Sequence, residues 1–208
     1  MRTLVFLFCF TTALFSHATD ESTTTSQEHA VQTAESEKLI ASAPTGWQHI
    51  YALNTEKTRL ADFIPGDETE LTWKTKVSFE SHKSLIEVDP ISVLMGELDQ
   101  MRQNCEKIQS FNLFSGVENG YPTSARLTFC GENAHTGEGE VTISKAIQGN
   151  AFLYLIKMLH RVAPFDSDTN DVTAQQIASW SDYFGKIIVC DSDKVEHACE
   201  ASISVETQ

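Results

Sequence analysis

The sequence predicts an α+β fold, in which an antiparallel β-sheet meander carries helices packed on it. Residues 71–80 alternate between apolar and polar side chains, which is the period of a half-buried strand. Residues 118–159 form three consecutive strand-like segments separated by turn signals. Two further segments, 89–108 and 173–185, carry apolar residues at helical spacing. Runs of strands interrupted by few helices are typical of the α+β class.

The first strands are predicted at 47–53 and 58–65, where they form a hairpin across a turn-like segment at 54–57. The turn sequence Pro-Gly-Asp at 65–67 ends this hairpin. In the next strand, the alternation places Trp73 with Val77 and Phe79 on the face that packs into the core.

The first helix is predicted to begin after Asp89, which can cap its first turn, with Pro90 at the favoured first position. Its apolar stripe reaches Cys105, which therefore points inward, towards the strand that ends at Cys130. The stripe consists of Ile91, Leu94, Met95, Leu98, Met101 and Cys105.

The meander is predicted to run through strands at 111–117, 121–130, 141–148 and 151–160. The Asn-Gly pair at 119–120 favours a tight hairpin turn, because both residue types tolerate positive φ. The last of these segments is apolar on both faces, so we expect both faces to be covered. A buried helix is the alternative interpretation of this apolar run.

A second helix is predicted to provide one of these covers. Thr173 and Gln176 form a capping box, and Gly185 marks the end of the helix. Ile177, Trp180 and Phe184 form its apolar stripe. A short closing strand follows at 186–190.

The N-terminus has the pattern of a cleaved signal peptide at 1–18, with Arg2, an apolar stretch and a small-x-small sequence that ends at Ala18. The apolar stretch is too short to span a bilayer. We therefore expect a periplasmic or secreted protein with no stable membrane span. Residues 19–45 are predicted to be a disordered leader rich in Ser and Thr, with a short helix possible at 34–41.

The predicted domain is a single α+β unit at 46–199, followed by a flexible tail at 200–208. Removal of residues 1–18 takes away one basic and no acidic residue, so 14 basic residues face 29 acidic ones, a net charge of −15. Such a chain repels phosphate backbones and anionic lipid headgroups. Nucleic acid is therefore not expected as a partner.

Four cysteines remain after residue 18, which in an exported chain favours two disulfides. Three pairings are possible, and proximity in sequence favours Cys105 with Cys130 and Cys190 with Cys199. A zinc site is the alternative, but the C-x-x-C spacing that it would need is missing.

No catalytic, cofactor-binding or metal-binding residue is predicted. The chain has no G-x-S-x-G sequence, no phosphate-binding glycine loop, and no H-E-x-x-H or H-x-H spacing. Trp47 and Tyr121 are candidates for a ligand groove, because aromatic residues with a polar atom often line one. Arg126 and Lys145, on neighbouring strands, are candidates for an anion site, with a solvated cross-strand pair as the alternative.

Several sequence features together resemble a family of small exported bacterial proteins of unknown function. These are Trp73-x-x-x-Val77, the helix leading to Cys105, NGYP leading to Cys130, KAIQGNAFLYLIKMLHR, and VCDSDKVEHAC at the end. That family usually has His-Pro before the last cysteine, whereas this chain has His197-Ala198. The order of strands and helices is also similar to the PsbP-like α/β sandwich. Neither resemblance implies an activity.

These observations predict a non-enzymatic binding or accessory protein of the cell envelope, with an envelope protein or a small ligand as its partner. Two alternatives stay open: an envelope hydrolase with a site of scattered Asp, Glu and His, and an inhibitor or immunity-type protein.

Overall fold

A sheet of seven antiparallel strands forms the centre of the computed structural model, which describes residues 36–166 and 172–199. A separate antiparallel pair of strands lies outside this sheet. Two α-helices accompany the strands in the described residues. The α+β class and the antiparallel meander are confirmed, whereas the PsbP-like sandwich stays a prediction.

In chain order, the elements are β1 (Glu37–Ile40), β2 (Trp47–Asn54), β3 (Thr58–Pro65), β4 (Thr75–His82), α1 (Pro90–Arg102), β5 (Ile108–Glu118), β6 (Tyr121–Cys130), β7 (Gly139–Gln148), β8 (Leu153–Val162), α2 (Ala174–Gly185) and β9 (Ile188–Asp191). The strand order in the large sheet is β2-β3-β4-β8-β7-β6-β5, and β1 pairs with β9 in the separate sheet.

The strand that is apolar on both faces, β8, lies at the centre of the large sheet between β4 and β7. It is a strand, so the buried-helix alternative is wrong. One of its faces belongs to the main core, which also includes Phe184 at the end of α2. On the other face, Leu155 packs with Leu94 of α1. Both faces are therefore covered, each by a different helix.

Helix α1 begins as predicted and ends earlier. Asp89 Oδ1 accepts a hydrogen bond from the Ser92 backbone N–H at 3.0 Å, and Pro90 occupies the first turn. The helix ends at Arg102, so the expectation that Cys105 lies on it is wrong. Cys105 instead forms an isolated β-bridge with Asn133, because the chain has already turned back towards the sheet.

Helix α2 and the hairpin turn at 119–120 agree with the sequence. The Thr173 hydroxyl and the Gln176 side chain form the reciprocal capping box. Asn119 and Gly120 have φ values of 46° and 82°, the left-handed conformation that a tight turn between β5 and β6 requires.

The folded part begins earlier than predicted, because β1 lies inside the segment expected to be a disordered leader. Its residues pair with β9 from Glu37↔Asp191 to Ile40↔Ile188, so the short helix expected at 34–41 is also wrong over this strand. Glu37 is 6% exposed, and its carboxylate accepts hydrogen bonds from the backbone N–H groups of Asn150 and Ala151 at 2.6 and 3.0 Å. These contacts stabilise a segment whose composition alone predicts disorder.

The predicted signal peptide at 1–18, the leader up to residue 35 and the predicted tail at 200–208 lie outside the described residues. No helix in the described part of the chain has the length and apolar character needed to cross a membrane.

Both disulfides favoured by sequence proximity are present. Cys105 and Cys130 are joined with a Cα–Cα distance of 5.7 Å, and Cys190 and Cys199 with a Cα–Cα distance of 4.8 Å. The first connects the segment after α1 to the end of β6, and the second connects the end of β9 to the segment after it.

Replacing Cys105 and Cys130 together by serine is expected to lower the free energy of unfolding by about 3 kcal/mol. The reason is that this disulfide closes a loop of 25 residues and restricts the unfolded chain. The matched change at Cys190 and Cys199 opens a shorter loop, and its expected cost is about 2.5 kcal/mol. Urea unfolding of the three proteins measures both losses, and unchanged midpoints in both variants would contradict the expectation.

Candidate functional site: a polar groove beside helix α1

One row of side chains on the face of the large sheet that lies towards α1 is polar across six strands. The strand register aligns one side chain from each strand in a single row. In sheet order, this row is Asp62, Ser78, Lys157, Ser144, Arg126 and Asn112. A sheet face beneath a helix normally carries apolar side chains, so this row indicates a function other than packing.

An open cavity of about 420 Å³ lies along this face, between α1 and strands β3, β4, β8 and β7. Its volume is in the range of small-molecule sites, about 300–1,000 Å³. We call this cavity the α1 groove. It is lined by Leu60, Asp62, Lys76, Ser78, Glu80, Glu97, Gln100, Met101, Glu140, Thr142, Ser144, Lys157 and Leu159.

A lysine on β8 connects the floor of the α1 groove to the helix. Lys157 Nζ lies 2.6 Å from Glu80 Oε1 and 3.1 Å from Glu97 Oε1. Burial by itself would lower the pKa of Lys157, but the carboxylates of Glu97 and Glu80 outweigh it and raise the pKa. Lys157 is therefore a cation at neutral pH, and its ion pair with Glu97 connects α1 to the sheet.

Two buried polar atoms in the α1 groove have no hydrogen-bond partner within the described residues: Asp62 Oδ1 and Thr142 Oγ1. Asp62 uses its other oxygen, Oδ2, for an ion pair with Lys76 Nζ at 3.0 Å. The two residues are only 9% and 5% exposed. Because an unsatisfied buried polar atom costs about 1–3 kcal/mol, a ligand that reaches these side chains from the groove and supplies partners for both atoms gains affinity.

The far wall of the α1 groove carries a buried carboxylate with a neutral partner. Glu140 is 6% exposed and accepts a hydrogen bond from Asn133 Nδ2 at 3.0 Å. Its cross-strand neighbour is Arg161, whose guanidinium lies 3.7 Å from the ring centre of Trp73 and whose Nε lies 3.4 Å from Glu138. Trp73 is half-buried just before β4, so the expectation that it packs in the core is wrong.

Arg126 and Lys145 do not form one site, because they point to opposite faces of the sheet. Arg126 pairs with Ser144 in the register, whereas Lys145 pairs with Ala125. Arg126 lies on the α1 side and donates to Ser110 Oγ at 3.0 Å. Lys145 lies on the α2 side and is 2% exposed, which also excludes the solvated cross-strand pair.

Trp47 and Tyr121 are not part of the α1 groove. Trp47 lies on the edge strand β2 and packs against the main core. Tyr121 is 2% exposed at the start of β6, where its ring centre lies 4.4 Å from that of His197. Burial, followed by the carboxylates of Glu37 and Asp191, raises the pKa of Tyr121 to about 12. It borders a different open cavity, beside the hairpin turn at 119–120.

No group of three or more His, Cys, Asp or Glu side chains within residues 36–166 and 172–199 is arranged to hold a metal ion. The carboxylates of the α1 groove are engaged instead by lysines and by Asn133.

The sequence motifs do not identify the residues of the α1 groove as a site, although the strand pattern carries a signal for it. Ser78 and Glu80 occupy the face of β4 that the alternation assigns to solvent. In the register, Ser78 is matched by Lys157 on β8 and by Ser144 on β7, and Thr142 lies on the same face of β7 two residues from Ser144. Polar residues at matching positions on three strands predict a solvent-exposed face of the sheet. Only the register shows that α1 covers part of this face.

Comparisons with known proteins do not assign the chain to a family. No family model matches the chain, and a search of curated proteins finds no match. Among solved structures, a mutant of the protein Mog1 is 11% identical, with 71% of this chain and 84% of that chain covered and a TM-score of 0.40. LpqN, involved in cell envelope biogenesis of Mycobacterium tuberculosis, is 9% identical, with coverage of 76% and 86% and a TM-score of 0.41. The Ran-binding protein Mog1p of Saccharomyces cerevisiae is 9% identical, with coverage of 72% and 85% and a TM-score of 0.36. At these scores the similarity carries no argument about function.

Proposed function

We propose that this chain is an exported, non-enzymatic binding protein whose α1 groove holds a small polar ligand. The observation that supports this proposal is the pair of buried, unpartnered polar atoms, Asp62 Oδ1 and Thr142 Oγ1, in a cavity of ligand size. The signal-like segment at 1–18 and the two disulfides support export.

Binding fits the α1 groove better than hydrolysis does, because three of its four acidic side chains are already paired with lysines. Glu80 and Glu97 share Lys157, and Asp62 pairs with Lys76. A general acid or base needs a side chain that is free to exchange a proton with the substrate. The hydrolase alternative would use the same cavity, so turnover must be measured alongside binding.

The proposal is tested with a panel of sugars, amino acids and aliphatic amines, in which binding is measured by calorimetry and turnover by product analysis. Ser144 lies on the floor of the α1 groove, so the larger side chain in Ser144→Phe fills the cavity. We expect this variant to bind any ligand found at least tenfold more weakly than the unmodified protein. Ser84→Phe adds the same side chain at an exposed site outside the groove and is expected to bind normally. Product formation that disappears in the Ser144 variant would favour the hydrolase, and equal affinity in both variants would contradict the proposed site.

A second candidate function, binding of a protein partner, is favoured by the edge strand β5. It forms one outer edge of the large sheet and carries no charged residue from 108 to 117. Phe111, Leu113, Phe114 and Val117 are between 37% and 65% exposed on it. Natural sheet edges are usually protected by charge, proline or bulges. β5 has neither charge nor proline over 108–117, and its one register shift lies between Asn112 and Phe114, so the segment from Phe114 to Val117 can accept an added strand. We propose an extended, largely uncharged segment of an envelope protein as its occupant.

Crosslinking with mass spectrometry in native cells tests this second candidate. We expect crosslinks from the β5 region to one extended segment of a single protein, and we expect Val117→Lys to remove them because it places a charge on the edge. Val195→Lys is the matched control, since Val195 is 93% exposed and lies outside β5. Loss of the crosslinks in both variants, or crosslinks only between copies of this chain, would contradict the candidate.

A further inference from the structure

We propose that the ligand of the α1 groove is an extended aliphatic amine that carries at least two amino groups. This inference rests on the proposed function and adds the chemical class of the ligand. The groove lining contains four carboxylates, Asp62, Glu80, Glu97 and Glu140, and two ammonium groups, Lys76 and Lys157. Two negative charges are therefore in excess, and a dication would balance them.

The excess negative charge is located at identifiable side chains. Lys76 balances Asp62, and the single cation of Lys157 is shared by two carboxylates, Glu80 and Glu97. Glu140 hydrogen-bonds a neutral amide, and the guanidinium of the neighbouring Arg161 lies over Trp73. Because a buried carboxylate without a counter-charge is costly, a ligand cation near Glu140 lowers the free energy of the complex.

The two unpartnered oxygen atoms indicate that the ligand carries hydrogen-bond donors. Asp62 Oδ1 is a carboxylate oxygen, so its partner must donate an N–H or O–H hydrogen bond. The Thr142 hydroxyl can accept from a donor in the same way. An ammonium group has three donors and a positive charge, and hydrogen bonds between ionised groups are about twice as strong as neutral ones.

The distance across the sheet determines the length of the ligand. Asp62 lies on β3, whereas Glu140 and Thr142 lie on β7, three strand spacings away. At about 4.8 Å per spacing, β3 and β7 are about 14 Å apart. Because Thr142 and Glu140 lie two and four residues along β7 from Ser144, which is in the row of Asp62, their separations from Asp62 are about 16 and 20 Å. Leu159 lies between them, because the register pairs it with Lys76 on one side and Thr142 on the other. An amino group at each end with a methylene chain across Leu159 fits this layout.

Calorimetry with spermidine and with an uncharged glycol of the same chain length tests the class. We expect spermidine to bind at least tenfold more tightly than the glycol, and we expect Glu140→Gln to weaken spermidine binding at least tenfold. Glu132→Gln is the matched control, since it removes one negative charge from an exposed residue outside the groove lining. Its affinity is expected to stay within twofold of the unmodified protein.

Three outcomes would overturn the inference. Equal weakening in the Glu140 and Glu132 variants would mean that spermidine binds the acidic surface in general. Binding of sugars or amino acids in the groove without amine binding would reject the amine class and leave the proposed function standing. No binding by any compound, with Ser144→Phe indistinguishable from the unmodified protein, would reject both. Thermal unfolding of each variant establishes that it is folded.

Discussion

A variant that begins at Gly46 is expected to be less stable than one that begins at Ser36 by about 4 kcal/mol or more. The shorter variant lacks β1, which pairs with β9, and it lacks the Glu37 carboxylate. That carboxylate accepts hydrogen bonds from the backbone N–H groups of Asn150 and Ala151. Each of these donors loses a hydrogen bond to a charged acceptor, which is worth about 1.5–3 kcal/mol, and the lost strand pairing adds to this. Such a loss is a large part of a total stability of about 5–15 kcal/mol.

Urea unfolding of the two variants measures this difference, and a point variant separates its two causes. Glu37→Ala keeps β1 and removes the buried acceptor, so it is expected to account for about half of the loss. Lys38→Ala is the matched control, because Lys38 is the exposed neighbour on the same strand. If the variant that begins at Gly46 unfolds at the same urea concentration as the one that begins at Ser36, β1 contributes nothing to stability.

The sequence predicts that the domain begins at residue 46, whereas β1 begins at Glu37. This difference shows what local sequence can and cannot predict. Strong periodicity predicts α2 and the hairpin at 119–120 at their observed positions and predicts β4 with a start four residues too early, because alternation, capping and turn chemistry are local properties. The segment 37–40 has no such pattern and is surrounded by Ser, Thr and Glu. It becomes a strand through pairing with residues 188–191, more than a hundred positions away. The composition of a segment does not predict a contact between residues so far apart in the chain.

The distinction between local patterns and contacts distant in sequence also applies to the α1 groove. Alternation predicts that Ser78 and Glu80 share a face of β4, but it does not predict that α1 packs over that face. The groove depends on the order β3-β4-β8-β7, in which β4 pairs with a strand about seventy residues later in the chain. Sequence therefore predicts the polar face, and the strand order turns that face into a candidate site.

Replacing Lys145 by methionine is expected to destabilise the fold by about 3 kcal/mol, because this side chain is a buried structural cation. Its Nζ donates to the carbonyl oxygens of Phe184 and Ile187, at 2.9 and 2.8 Å, at the end of α2. It also lies 2.5 Å from Glu118 Oε2. Methionine is apolar and of similar length, so it leaves these groups without their cation and adds little new space.

The position of Lys145 also follows from alternation in β7, since it shares a face with the apolar residues Ile143 and Ile147. Lys186→Met is the matched control, because it removes the same charge from an exposed residue at the end of α2. We expect that variant to change stability by less than about 0.5 kcal/mol. Since the buried ion pair is poorly screened, the loss in the Lys145 variant should persist at high salt. Equal stability of the two methionine variants in urea unfolding would mean that Lys145 does not hold α2 against the sheet.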